Sequence, residues 1–185
     1  MGTIKTTNIE TITGSGTLTL GQSGETISVP SGATLDLSSA TQTGVGGTNS
    51  PAFIVYNNST QTISNSTHTT YQFNTITLDT DSGFNTGTYT YTVPTTGKYV
   101  IGAAAKKLTA GSTDRMILSL KINGSFVFYS ENYSKDFSSV LFNVVFNLSA
   151  TDTLQVAIFQ NTGGNVDFES GNFVNIFYGH KLIGV

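Results

Sequence analysis

The residues best suited to chemistry are polar aromatics set beside amides and charges. Tyr129, Asn132, Tyr133, Lys135 and Asp136 lie close together, and Asn161, Asn165, Asp167, Phe168 and Glu169 form a second group. An aromatic ring can lie on the C–H face of a sugar while amides and carboxylates bind its hydroxyls. Both groups therefore read as saccharide contacts, with Tyr129, Asn132, Tyr133, Lys135, Asp136, Asn165, Asp167 and Glu169 as the ligand-binding set. The rings of Tyr129 and Phe168 would serve equally well as cover for the end of a fold.

Catalysis is poorly supplied. His68 and His180 are the only imidazoles, and neither a G-x-S-x-G elbow nor an H-E-x-x-H helix occurs. His68 sits in a Ser/Thr/Asn loop without an acidic neighbour, and His180 lies on an apolar strand near the C-terminus. Cysteine is absent, which excludes thiol nucleophiles, disulfides and Cys-ligated zinc. Asp79-x-Asp81 and Asp167-x-Glu169 offer hard oxygen ligands of the kind calcium takes. Asp79 and Asp81 are weak candidates, because Gly83 follows too early for an EF-hand loop and no later bidentate Glu completes one. An aspartate opening a turn ordinarily binds its own backbone. The expectation is no catalytic residue, no metal and no cofactor.

The elements that must carry these residues are β-strands. Of 185 residues only 10% are charged, with 8 Lys or Arg against 11 Asp or Glu, a net charge of −3. Clustered cations for nucleic acid are missing. Fifty-one Ser or Thr and 21 Asn or Gln replace the charges. Hydrophobic residues at 37% argue against disorder. No apolar stretch reaches membrane-spanning length, and no signal peptide is visible at the N-terminus.

The chain divides by composition. Every aromatic lies after residue 50, whereas residues 1–50 hold 9 Gly and 19 Ser or Thr. Thr17–Leu20, Thr26–Val29 and Thr34–Leu37 each alternate polar and aliphatic residues, which predicts short strands. One chain buries too little there to be stable, so 1–50 reads as a β-rich stalk wound from several copies. Residues 51–185 read as a separate head with strands at 52–57, 71–79, 88–93, 98–107, 114–122, 139–148, 153–160 and 172–183. Turns are marked by Asp81-Ser82-Gly83, Pro94–Gly97, Asn123-Gly124 and Gly163-Gly164. This predicts an all-β, antiparallel double-sheet jelly roll. Val140–Phe146 and Phe173–Tyr178 are apolar on both faces, which a strand with one solvent face should not be. A second buried face implies an interface between copies. Tyr99, Phe142, Phe146, Phe173, Phe177 and Tyr178 are expected in the core or at that interface, with Phe177 and Tyr178 on opposite faces.

The run Gly87-x-Tyr89-x-Tyr91-x-Val93-Pro94-x-x-Gly97-x-Tyr99-x-Ile101 resembles the central signature of the complement globular-head and tumour-necrosis-factor superfamily. Phe73, Leu118-x-x-x-Ile122-Asn123-Gly124 and Phe173-x-x-x-Phe177-x-Gly179-x-x-Leu182 fit the same pattern. Ala150-Thr151-Asp152-Thr153 departs from it, keeping only Asp152 of a Gly-Asp turn. The resemblance implies a ten-strand jelly roll that forms a tight homotrimer, binds ligands and has no enzymatic activity. With a Thr/Ser/Gly-rich stalk in front, the chain resembles the distal end of a phage tail fibre. The expected placement is a virion or an extracellular surface, and the expected partner is a host-surface glycan or protein receptor, without membrane insertion. The alternatives are a purely structural trimerisation protein and a polysaccharide depolymerase.

If strand direction alternates from 52–57 onward, connections 58–70, 94–97, 123–138 and 161–171 fall at the end distal to the stalk. Connections 80–87, 108–113 and 149–152 fall at the stalk end. This count holds only if the Asn123-Gly124 hairpin leaves the parity unchanged, and it puts the ligand-binding set at the distal tip.

Overall fold

A computed structural model describes residues 23–36, 50–108, 114–134, 138–172 and 174–182. The chain forms two compact units, Met1–Thr43 and Gly44–Val185. In the first, residues 23–36 turn at Ser23-Gly24 and Ser31-Gly32, and the Ala33 amide donates to the Pro30 carbonyl at 3.0 Å. Ile27, Val29 and Leu35 are exposed. Residues 26–29 and 34–36 carry no ladder pairing within the single chain; the strands expected there are ones that several wound copies would complete. Thr17–Leu20 lies outside the described residues.

The second unit is all-β. Among the described residues it holds β1 (Ala52–Tyr56), β2 (Gln61–Ile63), β3 (Thr69–Thr70), β4 (Thr75–Asp79), β5 (Phe84–Asn85), β6 (Thr90–Thr92), β7 (Gly97–Lys106), β8 (Asp114–Ile122), β9 (Ser125–Ser134), β10 (Ser139–Leu148), β11 (Thr153–Gln160), β12 (Val166–Phe168) and β13 (Ile176–Lys181). The first sheet runs β10-β7-β13-β1-β4 and the second β5-β6-β11-β8-β9, with β3 added on β11; β2 and β12 form a separate pair. Every pairing is antiparallel. This is the expected double-sheet jelly roll.

Period-2 alternation explains the core. Phe53, Val55, Tyr99, Ile101, Ala103, Phe142 and Phe177 point inward from the first sheet, and Tyr91, Met116, Leu118, Leu120, Leu154, Val156 and Ile158 from the second. The sheets lock through aromatic pairs: Phe53 stacks on Tyr91 at 3.9 Å between centroids, and Phe128 meets Phe142 edge-on at 5.7 Å. Of the six residues expected in the core or at an interface, Tyr99, Phe142 and Phe177 are buried and Phe146 packs against the core from partial burial. Tyr178 points the other way, onto the outer face of the first sheet, and Phe173 lies outside the described residues. Tyr178 lies across its cross-strand partner Gly102, where a Cβ would come within 2.3 Å of its ring.

Three expected elements change. The strand at 71–79 is broken, with buried Tyr71 and Phe73 between β3 and β4. The last strand shrinks to β13. The connection 123–138 is largely the ten-residue strand β9, paired along its length with β8. Asn123 and Gly124 both have positive φ, 51° and 79°, the geometry of a tight I′ hairpin turn. The chain therefore reverses at that turn, and also between β5 and β6, where no reversal was expected.

Two missed reversals correct the loop map. The end holding Pro51 also holds 80–83, 94–96, Asn123-Gly124, 149–152 and Leu182; the Lys181 amide donates to the Pro51 carbonyl and the Leu182 amide to Lys98. The far end holds 57–60, Lys107-Leu108, Ser138, 161–165, 169–172 and 174–175. Connection 94–97 thus moves to the Pro51 end, and Leu108, the described start of connection 108–113, lies at the far end. The two reversals cancel after β9, so 149–152 and 161–171 stay where the count put them.

Candidate functional site

The structure separates the expected ligand-binding residues into two groups. Tyr129, Asn132 and Tyr133 lie on β9, an edge strand, and Tyr129 is not at a tip but midway along it. Register sets Tyr133 opposite Arg115, Glu131 opposite Ile117, Tyr129 opposite Ser119 and Phe126 opposite Lys121. All of these side chains share the outer face of the second sheet. Tyr129 and Tyr133 are 59% and 62% exposed. The Asn132 amide donates to the Ser139 carbonyl at 2.9 Å, tying β9 to the start of β10. Lys135 and Asp136 lie outside the described residues.

A pocket of about 310 Å³ opens on this face, lined by His68, Arg115, Ile117, Ser119, Phe126 and Tyr129. Three features build it. The pairing register slips by one residue between Leu120 and Lys121, a β-bulge. Phe128 points into the core; without the slip Phe126, two residues away, would follow it. The bulge re-aims Phe126 outward, a common use of such irregularities. The 64–70 segment then crosses the face and lays the His68 ring 4.7 Å from Phe126 and 4.9 Å from Phe159. Its backbone is tied down where the Ser66 amide donates to the Gln160 carbonyl at 2.7 Å. Finally, Arg115 Nε donates to Glu131 at 2.7 Å and its Nη2 sits 2.7 Å from the same oxygen, which fixes the guanidinium at the pocket edge. Lys121 Nζ lies 4.7 Å from the centre of the Phe126 ring, a cation–π contact. Partial burial, then the Lys121 and Arg115 charges, hold the His68 imidazole below its usual pKa.

The second group is at the far end. Asp167 accepts from Thr62 Oγ1 at 2.6 Å across the β2–β12 pair. Glu169 forms an ion pair with Lys106 at 2.7 Å. Asn165 is exposed between them and the 161–164 turn. Four buried amides brace these loops, and no sequence feature singled them out. Gln160 Nε2 donates to the Ile63 and Gly164 carbonyls, and its Oε1 accepts from Thr162. Gln61 bridges Thr70 and Gln72. Asn175 accepts from the Lys106 amide and donates to the Glu169 carbonyl. Asn57 holds the Ser59 amide.

The acidic pairs do not converge. Asp79 accepts from the Gly83 and Phe84 amides at 3.1 and 2.8 Å, and Asp81 accepts from the Thr80 hydroxyl and then the Ser50 hydroxyl, which hold its carboxyl below the usual range. Asp81, without Asp79, edges a second concavity at the Pro51 end, lined by residues such as Phe84, Asn85 and Pro94. Among the described residues no three His, Asp or Glu side chains are grouped closely enough to hold a metal. His180 stands on the outer face of the first sheet, opposite Val100 and Ala52.

That first-sheet face is the other distinctive surface. Leu141 and Val145 are 62% and 58% exposed on β10. Cross-strand register joins Leu141 through Ala104 and Ile176 to Tyr56, and Val145 through Val100 to His180. Between these rows, Tyr178 is flanked by Gly102 and Ile54, with Leu78 beyond. The middle of the face carries no charge.

No family model matches the chain, and no curated protein is similar in sequence. Solved structures are similar in fold. The Eiger tumour necrosis factor of S. frugiperda aligns with a TM-score of 0.54 at 15% identity, over 71% of this chain and 91% of that one. The globular domain of zebrafish complement 1qA gives 0.51 at 22%, over 70% and 95%. Murine APRIL gives 0.55 at 16%, over 71% and 98%. The head is therefore a jelly roll of the tumour-necrosis-factor and complement globular-head kind.

Proposed function

We propose that this chain is a non-enzymatic binding head that assembles as a homotrimer and recognises a saccharide on a cell surface, as the distal part of a phage tail fibre. One observation carries the assembly: the middle of the outer face of the first sheet is uncharged and mostly apolar around Tyr178, with Asn143 its one polar side chain on β10 between Leu141 and Val145, both more than half exposed. Single exposed apolar residues are ordinary, but a contiguous charge-free sheet face signals a partner surface. The likeness in fold to tumour necrosis factor and complement domains supports reading that partner as two further copies of the chain. The Ser/Thr/Gly-rich first 50 residues support a fibre in front of the head. Saccharide recognition is supported by the exposed tyrosines of β9 and by the amides and carboxylates of the far-end loops.

The test is binding of the full chain to intact host cells before and after enzymatic removal of surface glycans. Loss of binding on stripping is expected. Binding that survives stripping points to a protein receptor, and absence of binding to any cell points to a purely structural trimerisation protein. Tyr133→Ala and Asp167→Ala should weaken binding while leaving the oligomer intact.

A further inference from the structure

The outer-face pocket is more specific than a general sugar surface. Its floor is Ile117 and Ser119, both buried although they sit on the outer side of the sheet. Its walls are the rings of Phe126, Tyr129 and His68. Phe126 is 51% exposed even with His68 and Lys121 against it, so much of one large apolar ring remains open to a ligand.

The charges are as informative as the rings. Arg115, Ile117, Ser119 and Lys121 lie on one side of β8, so a cation stands at each end of a line about 20 Å long at the usual strand rise. Glu131 is the one acid paired with Arg115 across the ladder. Locally two cations face one carboxylate, in a chain whose net charge is −3. Glu131 engages Nε and Nη2 of Arg115 through one carboxylate oxygen, and so orients the guanidinium without using all five of its N–H donors. A guanidinium held in place at the edge of a pocket is suited to a planar anion, which it can meet with paired hydrogen bonds.

We propose that this pocket binds the acidic residue of a carboxylated saccharide, with its pyranose ring on Phe126 and Tyr129 and its carboxylate on Arg115. Lys121 meets a second acidic unit or steers the chain along β8. The inference rests on the reading of the head as a saccharide binder and names the class of sugar and the place. It also explains the bulge, since an unbroken ladder would leave the pocket without its Phe126 wall.

Titration of the full chain with matched probes tests it: oligogalacturonate against its methyl ester, and sialyllactose against lactose. The ring proton of His68 serves as a local reporter, with His180 on the other sheet as an internal control. At least one acidic probe should move the His68 signal and leave His180 still, with its neutral counterpart weaker by about tenfold or more, equivalent to ~1.4 kcal/mol. Arg115→Gln should abolish that preference, and added salt should weaken the acidic probe alone. Phe126→Ala should remove binding of both members of a pair; if it disturbs folding, Arg115→Gln and Lys121→Gln carry the test by themselves. Equal affinity for acid and neutral partner, or no response of His68 to any acidic probe, overturns the proposal. Glycan-dependent cell binding that is unchanged in Arg115→Gln would reject this pocket and leave the saccharide-binding head standing. Cell binding indifferent to glycan removal would reject the head reading itself.

Discussion

The two outer faces of the sandwich cover the same core yet differ in kind. The first sheet turns Leu141, Val145, Val100, Tyr178 and Ile54 outward in an uncharged field. The second sheet turns out Arg115, Lys121, Glu131 and the rings of Phe126, Tyr129, Tyr133 and Phe159, and the 64–70 segment folds over part of it. A flat apolar surface offers shape and area but little direction, which suits a large matching protein surface. A pocket with rings and oriented charges offers direction on a small scale, which suits a soluble ligand. The β-sandwich supplies one buried side per sheet, so the residues on the other side are free to differ in function.

The sharpest break acts on the layer beneath both faces. Phe177 is fully buried and touches Phe53, Phe73 and Phe84. Phe177→Ala should cost about 3–5 kcal/mol of unfolding free energy, measured by denaturant titration, and should erase both surfaces together. Its neighbour Tyr178 separates them: Tyr178→Ala should weaken assembly far more than it weakens the fold of the head.

Leu141→Glu acts on the first face alone. Burying an unpaired carboxylate at an apolar interface should weaken assembly by roughly 100-fold or more, about 3 kcal/mol. The isolated head should keep its circular dichroism and the response of the His68 pocket to ligand. Retention of the oligomer would remove this face from the interface.

Asn123→Ala acts at the root of the second face. Asn123 holds a left-handed φ of 51° and exchanges side-chain hydrogen bonds with Asp152 and Thr153. Alanine there should cost about 1–2 kcal/mol by thermal denaturation. The loss should fall on β8 and β9 and spare assembly.

The smallest effect concerns pH. The folded state holds His68 below its ordinary value of 6.5, so the unfolded chain takes up the proton first. The stability tied to neutral His68 is complete above pH 6.5 and is lost as pH falls through the lower folded value. A pH series of melting temperatures should show a slight decline there that His68→Gln removes.

Most of the sandwich was legible in the sequence because its long strands alternate strongly. β7, β8, β10 and β11 lie within one residue of their expected positions. β9 was not legible for a physical reason: Ser125–Ser134 has polar residues on both faces, since it is an edge strand with one solvent side and few inward anchors besides Phe128. Reading it as a loop misplaced Tyr129 and hid the pocket, whose other members come from the 64–70 segment (His68), β8 (Arg115, Ile117 and Ser119) and β9 itself (Phe126). Asn123-Gly124 was the available signal, because two residues of that type call for a strand on each side. The amides Asn57, Gln61, Gln160 and Asn175 were equally hidden, because only tertiary contact distinguishes a buried amide from a loop residue. The two-faced apolarity of 140–146, by contrast, is an outer face read directly from alternation.

Sedimentation equilibrium of the full chain at micromolar concentration tests the central claim most directly. The chain has a mass of 19.5 kDa. A single species of three chains that Leu141→Glu converts to one is the expected result. A monomeric wild-type chain would leave the outer face of the first sheet exposed in solution and would contradict its assignment as the assembly surface.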